Sequence, residues 1–263
     1  MRLTVLAFIA LLGFTSLAGA KVVGKEVSYK DGETTMKGYI AWDDAKKGPR
    51  PGVLVVHEWW GHNEYARHRA DMLAKLGYVG MALDMYGDGK TVDHPEDASK
   101  MSSQISSNMP MMKARFIAAL KTLNEEPTVD KTKNAAIGYC FGGSVVLNMA
   151  REGADLSAVA AFHSGVAGQT KVEKGKFKPI VLVANGADDK WIDPKAVEAF
   201  KKELDEAGVN YNYITYPGAV HGFTNPAATG YGEKFHIPLA YNEKADKESW
   251  AELVKLLKTA FGK

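Results

Sequence analysis

A chain of 263 residues with one cysteine, Cys140, can form no internal disulfide and offers no thiolate set for a structural zinc site. It also lacks an excess of either charge. Lysine and arginine number 33 against 31 acidic residues, a formal net charge of +2, and the basic stretch Lys171 to Lys178 is broken by Val172, Glu173, Gly175 and Phe177. That balance argues against a nucleic-acid partner. Internal repeats, heptads and low-complexity tracts are missing, which removes solenoids and coiled coils. Long apolar runs are missing too, except near the start, where Leu3 to Leu17 is short and interrupted by Gly13, Thr15 and Ser16. No stable membrane span is expected from it.

That first segment has a different reading. Met1-Arg2, the apolar run and Ala18-Gly19-Ala20 form the pattern of a secretory signal peptide cut after Ala20, with a retained anchor as the alternative. The expected product is a secreted or periplasmic protein, residues 21–263, of a length that suits one α/β domain. Cleavage removes one charged residue, Arg2, and takes the net charge from +2 to +1. In an oxidising compartment an unpaired thiol is better explained by use than by packing.

Two alternating stretches, Val22 to Tyr29 and Thr34 to Trp42, predict an antiparallel hairpin turned at Asp31-Gly32. After Pro51 the pattern changes to short apolar runs: Val53 to Val56, Tyr78 to Leu83, Ala135 to Ile137, Ala158 to Phe162, Ile180 to Ala184 and Asn212 to Tyr216. Helical stretches alternate with them, among them Glu64 to Leu76, Lys113 to Asn124, Lys195 to Ala207 and Lys247 to Phe261. Strands buried on both faces and separated by helices predict a mostly parallel, doubly wound sheet flanked by helices. The methionine-rich stretch Met101 to Met112 reads either as a helical flap beside a site or as plain packing. Asn225 to Pro238, without period and carrying glycine, proline and aromatics, reads as a substrate-facing loop.

The cysteine sits in Gly138-Tyr139-Cys140-Phe141-Gly142-Gly143, between an apolar run and the helix-like Ser144 to Ala150. A nucleophile on a sharp strand-to-helix turn needs residues without side chains two positions either way, and glycine stands at both. In such a fold the acid and then the histidine follow, each on a loop after a later strand. After Ala184 comes Asn185-Gly186-Ala187-Asp188-Asp189-Lys190-Trp191-Ile192, and after Tyr216 comes Pro217-Gly218-Ala219-Val220-His221-Gly222-Phe223. Asp189 is preferred as the acid because Ile192 would re-enter the core. Asp188 is the alternative, and Asp193 before Pro194 reads as a helix N-cap. His221 would take the thiol proton and return it to the leaving oxygen, with Asp189 holding its tautomer.

Together with His57-Glu58-Trp59-Trp60-Gly61, Asp84-Met85-Tyr86-Gly87 and the late stretch Ala240 to Trp250, these motifs resemble the dienelactone hydrolase family across nearly the whole mature chain. The resemblance implies an α/β-hydrolase fold and a Cys140-Asp189-His221 triad that cleaves an ester or lactone through an acyl-enzyme, without a cofactor. It also implies that Glu58 lies near the thiol and controls its proton, that the amides of Trp59 and Phe141 receive the oxyanion, and that Trp60, Tyr86 and Phe223 line the pocket. The enzyme for which the family is named holds a substrate carboxylate with two arginines. Asp88 and Asn225 stand at those positions, and of the substitutes Lys90 and Arg67 the lysine lacks the planar fork. A neutral small-molecule ester or lactone is therefore expected, handled by a monomer.

Two rival readings need different evidence. A metal site at His57, Glu58 and His62 is disfavoured, since the histidines stand five apart rather than the four that aligns them on one helix face. A non-catalytic or redox-sensing protein using the lone cysteine is the alternative function, weakened by the absence of a resolving thiol.

Overall fold

The computed structural model describes residues 21–262, so the expected signal peptide lies outside the described residues. The hairpin forms as β1 (Val22–Asp31) and β2 (Thr34–Asp43), paired in antiparallel register from Val22 opposite Asp43 to Asp31 opposite Thr34. There follow β3 (Arg50–Val56), α1 (Glu64–Lys75), β4 (Val79–Leu83), α2 (Pro95–Ser106), α3 (Met109–Glu125), β5 (Val129–Tyr139), α4 (Phe141–Arg151), β6 (Ala158–Phe162), β7 (Ile180–Gly186), α5 (Pro194–Ala207), β8 (Tyr211–Tyr216), α6 (Ala228–Phe235) and α7 (Glu243–Phe261). The strands make one sheet in the order β1-β2-β4-β3-β5-β6-β7-β8. β3 through β8 run parallel, while β2 joins β4 antiparallel.

Alternation along each central strand divides the core in two, because successive side chains point to opposite faces. Leu54, Val56, Val159, Ala161, Val181 and Val183 face one apolar cluster, which α3, α4 and α5 cover. Val53, Val55, Ala158, Ala160, Leu182 and Ala184 face the other, which α1 and α7 cover. Caps delimit the helices as read: the Asp193 side chain accepts from the Lys195 amide ahead of Pro194, and α5 ends at Gly208 with φ 69°.

Two expectations change. The methionine-rich stretch is two helices broken near Ser107, with Met112 fully buried and Met101, Met109 and Met111 packed against the first core, so packing prevails over a flap. The segment expected as a loop after Asn225 contains α6. No helix among the described residues is long and apolar enough to cross a membrane.

Candidate active site

The carboxyl ends of four parallel strands bring the expected residues to one edge of the sheet, where crevices of open α/β sheets lie. β3 leads to Glu58 and Trp59, β5 to Cys140, β7 to Asp189 and β8 to His221. Cys140 occupies the left-handed region at φ 54° and ψ −117°, with its amide bound to the Phe162 carbonyl at 2.9 Å. The turn is tight enough that a Cβ on Gly138 would lie 2.0 Å from the Gly142 carbonyl oxygen, and one on Gly142 would lie 2.3 Å from that of Val56. Both contacts are with backbone, so both positions must be glycine. Strain of this kind persists where surrounding structure over-determines it, and here it lifts a half-buried thiol above the sheet.

His221 Nδ1 lies 2.8 Å from Asp189 Oδ2, and the other Asp189 oxygen accepts the Trp191 amide at 2.9 Å. The Asp189 side chain is fully buried. Asp188, by contrast, is exposed, and its amide binds the Ala219 carbonyl at 3.0 Å, tying the β7 and β8 loops together. Asp189 is thus the residue that meets the imidazole, although Ile192 is only half-buried and does not supply the expected reason. His221 Nε2 is buried without a partner of ordinary hydrogen-bond geometry. Burial opposes a charge on this ring, but its interactions with Cys140 and Asp189 outweigh it and raise its proton affinity well above the usual histidine range.

The amides of Trp59 and Phe141 have no acceptor among the described residues, which leaves them free for an oxyanion. Several bonds hold the first of them in place. Tyr86 donates its hydroxyl to the Trp59 carbonyl at 2.9 Å, and His57 spans two loops, Nδ1 donating to the Glu58 carbonyl at 2.5 Å and Nε2 accepting the Met85 amide at 3.2 Å. Asp84 accounts for the Asp-Met-Tyr-Gly motif, since its carboxylate accepts the amides of Lys37, Tyr86, Gly87 and Gly89 and so shapes the turn.

Glu58 is buried and its carboxylate accepts the Asn225 side-chain amide at 2.6 Å. Burial pushes its pKa up to about 7, against the Asn225 bond and the His221 and Arg69 charges. A carboxyl that binds its proton more tightly folded than unfolded gives a stability fully present below the unfolded value, 4.5, and lost as pH rises through about 7. Glu58→Gln should therefore stabilise the fold at pH 8 by roughly 3 kcal/mol, at 1.36 kcal/mol per unit, with no gain at pH 4. Thermal melts at the two pH values check this. An equal change at both would place the effect outside the ionisation.

Two expected pocket residues are placed away from the pocket, and a third is held against Glu58. Phe223 is fully buried, its ring packed on His163 and Tyr216 beneath the histidine loop. Asp88 is exposed in a left-handed turn, φ 57°, and pairs with Lys90 at 3.4 Å. Asn225 is buried with both ends of its amide engaged, by Glu58 and the Ala227 amide. Arg67 is bound to Glu26. Trp60 is buried under Tyr231 of α6, the rings stacked 4.3 Å apart, and both border a cleft of about 440 Å³ with Asn63, Thr91, Val92 and Asp93.

Some residues at the site were not foreseen. Trp191 projects its ring to 4.7 Å from that of His221. Below, Arg69 Nε donates to the Tyr65 hydroxyl at 3.1 Å, Tyr65 meets Thr224 Oγ1 at 2.5 Å, and Thr224 Oγ1 meets His163 Nε2 at 2.7 Å. His163 is fully buried at φ 38°, its ring edge-on to His221 at 5.2 Å. One signal could have found it: His163 follows the end of β6 as Cys140 follows the end of β5.

Comparison with known proteins places the chain in a family. The profile of the dienelactone hydrolase family matches residues 36–261. A dienelactone hydrolase-like promiscuous phosphotriesterase from metagenomic libraries has 37% identity and a TM-score of 0.86, covering 92% of this chain and 99% of that one. The m3DLH structure has 36% identity and a TM-score of 0.86, covering 91% of this chain and 99% of that one. Protein usf of Aquifex pyrophilus is 28% identical over 207 residues, 77% of this chain and 88% of that protein.

Proposed function

The chain belongs to the dienelactone hydrolase family and is a carboxylic ester hydrolase, and on that premise we propose that it cleaves a neutral ester or lactone through a thioester on Cys140. The observation that carries this reading is the placement of His221: Asp189 holds Nδ1 at 2.8 Å, which leaves the buried Nε2 for the Cys140 proton, and the pairing with Cys140 and Asp189 favours the imidazolium. The thiol proton passes to Nε2, Asp189 stabilises the imidazolium, and the thiolate Sγ attacks the carbonyl carbon. Charge gathering on the former carbonyl oxygen meets the Trp59 and Phe141 amides. Collapse breaks the bond to the leaving oxygen, which receives the proton from Nε2. Water then attacks the thioester with the same nitrogen as base, releasing the acid and restoring the thiol.

Charge supports the neutral substrate. Asp88 and Asn225 provide no bidentate clamp, and Arg67 and Lys90 are bound to Glu26 and Asp88. Arg69 is turned inward to Thr224 and Asp246. Asp88 itself stands in solvent, so the preference rests on missing attraction more than on repulsion. A panel of p-nitrophenyl acetate, p-nitrophenyl butyrate, a neutral lactone and a carboxylate-bearing dienelactone tests the proposal. The neutral compounds should show at least about tenfold higher kcat/KM, the worth of one charge-assisted contact; a low KM on the dienelactone would refute the neutral preference. A second reading is favoured by the 37% identity to a promiscuous phosphotriesterase: a neutral phosphotriester meets the same charge criterion and belongs in the same assay.

A further inference from the structure

Large apolar side chains with substantial exposure are few among the described residues: Leu76, Ile117 and Trp191, the last 42% exposed. Leu76 caps α1 and Ile117 lies on the outer side of α3, where each is an ordinary surface residue. Trp191 is different in position. Its ring centroid is 4.7 Å from that of His221 and 5.8 Å from that of Trp59, at interplanar angles of 53° and 66°. Trp59 in turn lies edge-on to the buried Trp60 at 5.0 Å.

The main chain of both residues is already committed to the site. The Trp191 amide binds Asp189 at 2.9 Å, and the Trp59 carbonyl accepts the Tyr86 hydroxyl at 2.9 Å. The backbone of both is therefore fixed, and their ring contacts put one beside the base and one on the oxyanion loop. A leaving oxygen that takes its proton from His221 must come within about 3 Å of Nε2. That nitrogen belongs to the ring whose centroid is 4.7 Å from that of Trp191, so a planar group on that oxygen is large enough to reach Trp191. An alkyl group there touches one tryptophan face, whereas a planar aromatic group can stack in offset geometry on Trp191 and present its edge to Trp59.

We infer that Trp191 and Trp59 form a subsite for an aromatic leaving group, so that the preferred substrates are aryl esters. The inference rests on His221 as the proton donor to that group. Phenyl acetate and ethyl acetate share an acyl half and differ in the alcohol; ethyl benzoate and ethyl acetate share the alcohol and differ in the acyl half. Trp191→Ala keeps the backbone amide that binds Asp189. It should lower the phenyl-over-ethyl ratio of kcat/KM about tenfold, a stacking contact's worth, and move the benzoyl-over-acetyl ratio less than twofold, while Trp191→Phe retains most of the phenyl preference. Comparing ratios cancels the chemical difference between the leaving groups. Equal losses on both acetates, or a change in the benzoyl ratio instead, would overturn the subsite. A second measurement needs no turnover: in Cys140→Ala protein, 4-nitrophenol should bind about tenfold more weakly once Trp191→Ala is added. Unchanged binding there would overturn the subsite even if the esters are hydrolysed, and weakened binding would support it even if the triad were assigned wrongly.

Discussion

Cys140→Ala should lower the hydrolysis of p-nitrophenyl acetate by about 10⁴-fold or more, with the fold unchanged. Loss of a triad nucleophile typically leaves only what binding and the oxyanion amides contribute, and here those amides, Trp59 and Phe141, belong to the main chain and survive the substitution. Alanine has the same Cβ as cysteine, so the φ of 54° at this position is no more strained than before. Thermal stability should therefore stay within about 1 kcal/mol of the parent. Nearby hydroxyls offer no easy replacement. Ser144 and Ser164 both donate to the Gly165 carbonyl, at 2.8 and 2.9 Å, and lie 3.2 Å from each other. Retention of more than a hundredth of the parent activity would mean that another group attacks the ester.

The next largest effect is expected at His221. In His221→Ala the burst of acyl-enzyme on an activated ester should disappear, a loss of about 10³-fold or more in acylation rate. Alanine also strands the fully buried Asp189 carboxylate, whose remaining bond comes from the Trp191 amide. A fall in stability would therefore accompany the fall in rate. His221→Gln separates the two. A glutamine amide can donate to Asp189 and restore the fold, yet it cannot carry a proton between thiol and leaving oxygen. Rapid-quench or stopped-flow measurement of the burst in both variants is the check, and a normal amplitude in either would remove His221 from the triad.

How far the sequence foretold this depends on what kind of constraint acted on each residue. The elbow was legible because its constraint is local and steric: two backbone carbonyls lie where a Cβ on Gly138 or Gly142 would have to be. The parallel strands were legible because burial on both faces leaves runs such as Val53 to Val56, and the strand ends then located Asp189 and His221, while Glu58 came from the family resemblance. Other features are set by distant partners. Helix α6 was hidden by two glycines in eight residues, yet Gly232 is there for packing, since a Cβ would lie 2.1 Å from the Leu239 carbonyl oxygen. Phe223 and Trp191 are both aromatics two residues beyond a triad member, and one is buried while the other stands in solvent. Their neighbours in sequence do not distinguish them; His163 and Tyr216 beneath the first ring and the open edge above the second do.

Arg69 has a consequence for how the molecule is made. Its guanidinium is buried below the histidine loop, where it grips the Thr224 carbonyl at 2.7 Å and is neutralised by Asp246 of α7 at 2.6 Å. A buried cation deprived of its counter-ion destabilises its surroundings by about 3–5 kcal/mol. The ribosome makes α7 after every other element at this site. Until that helix has emerged and docked, Arg69 lacks its counter-ion and the sheet face that α7 covers stays open. Translation therefore supplies the counter-ion of this cation after the rest of the site, and the loop that seats His221 gains its full support only once α7 has docked.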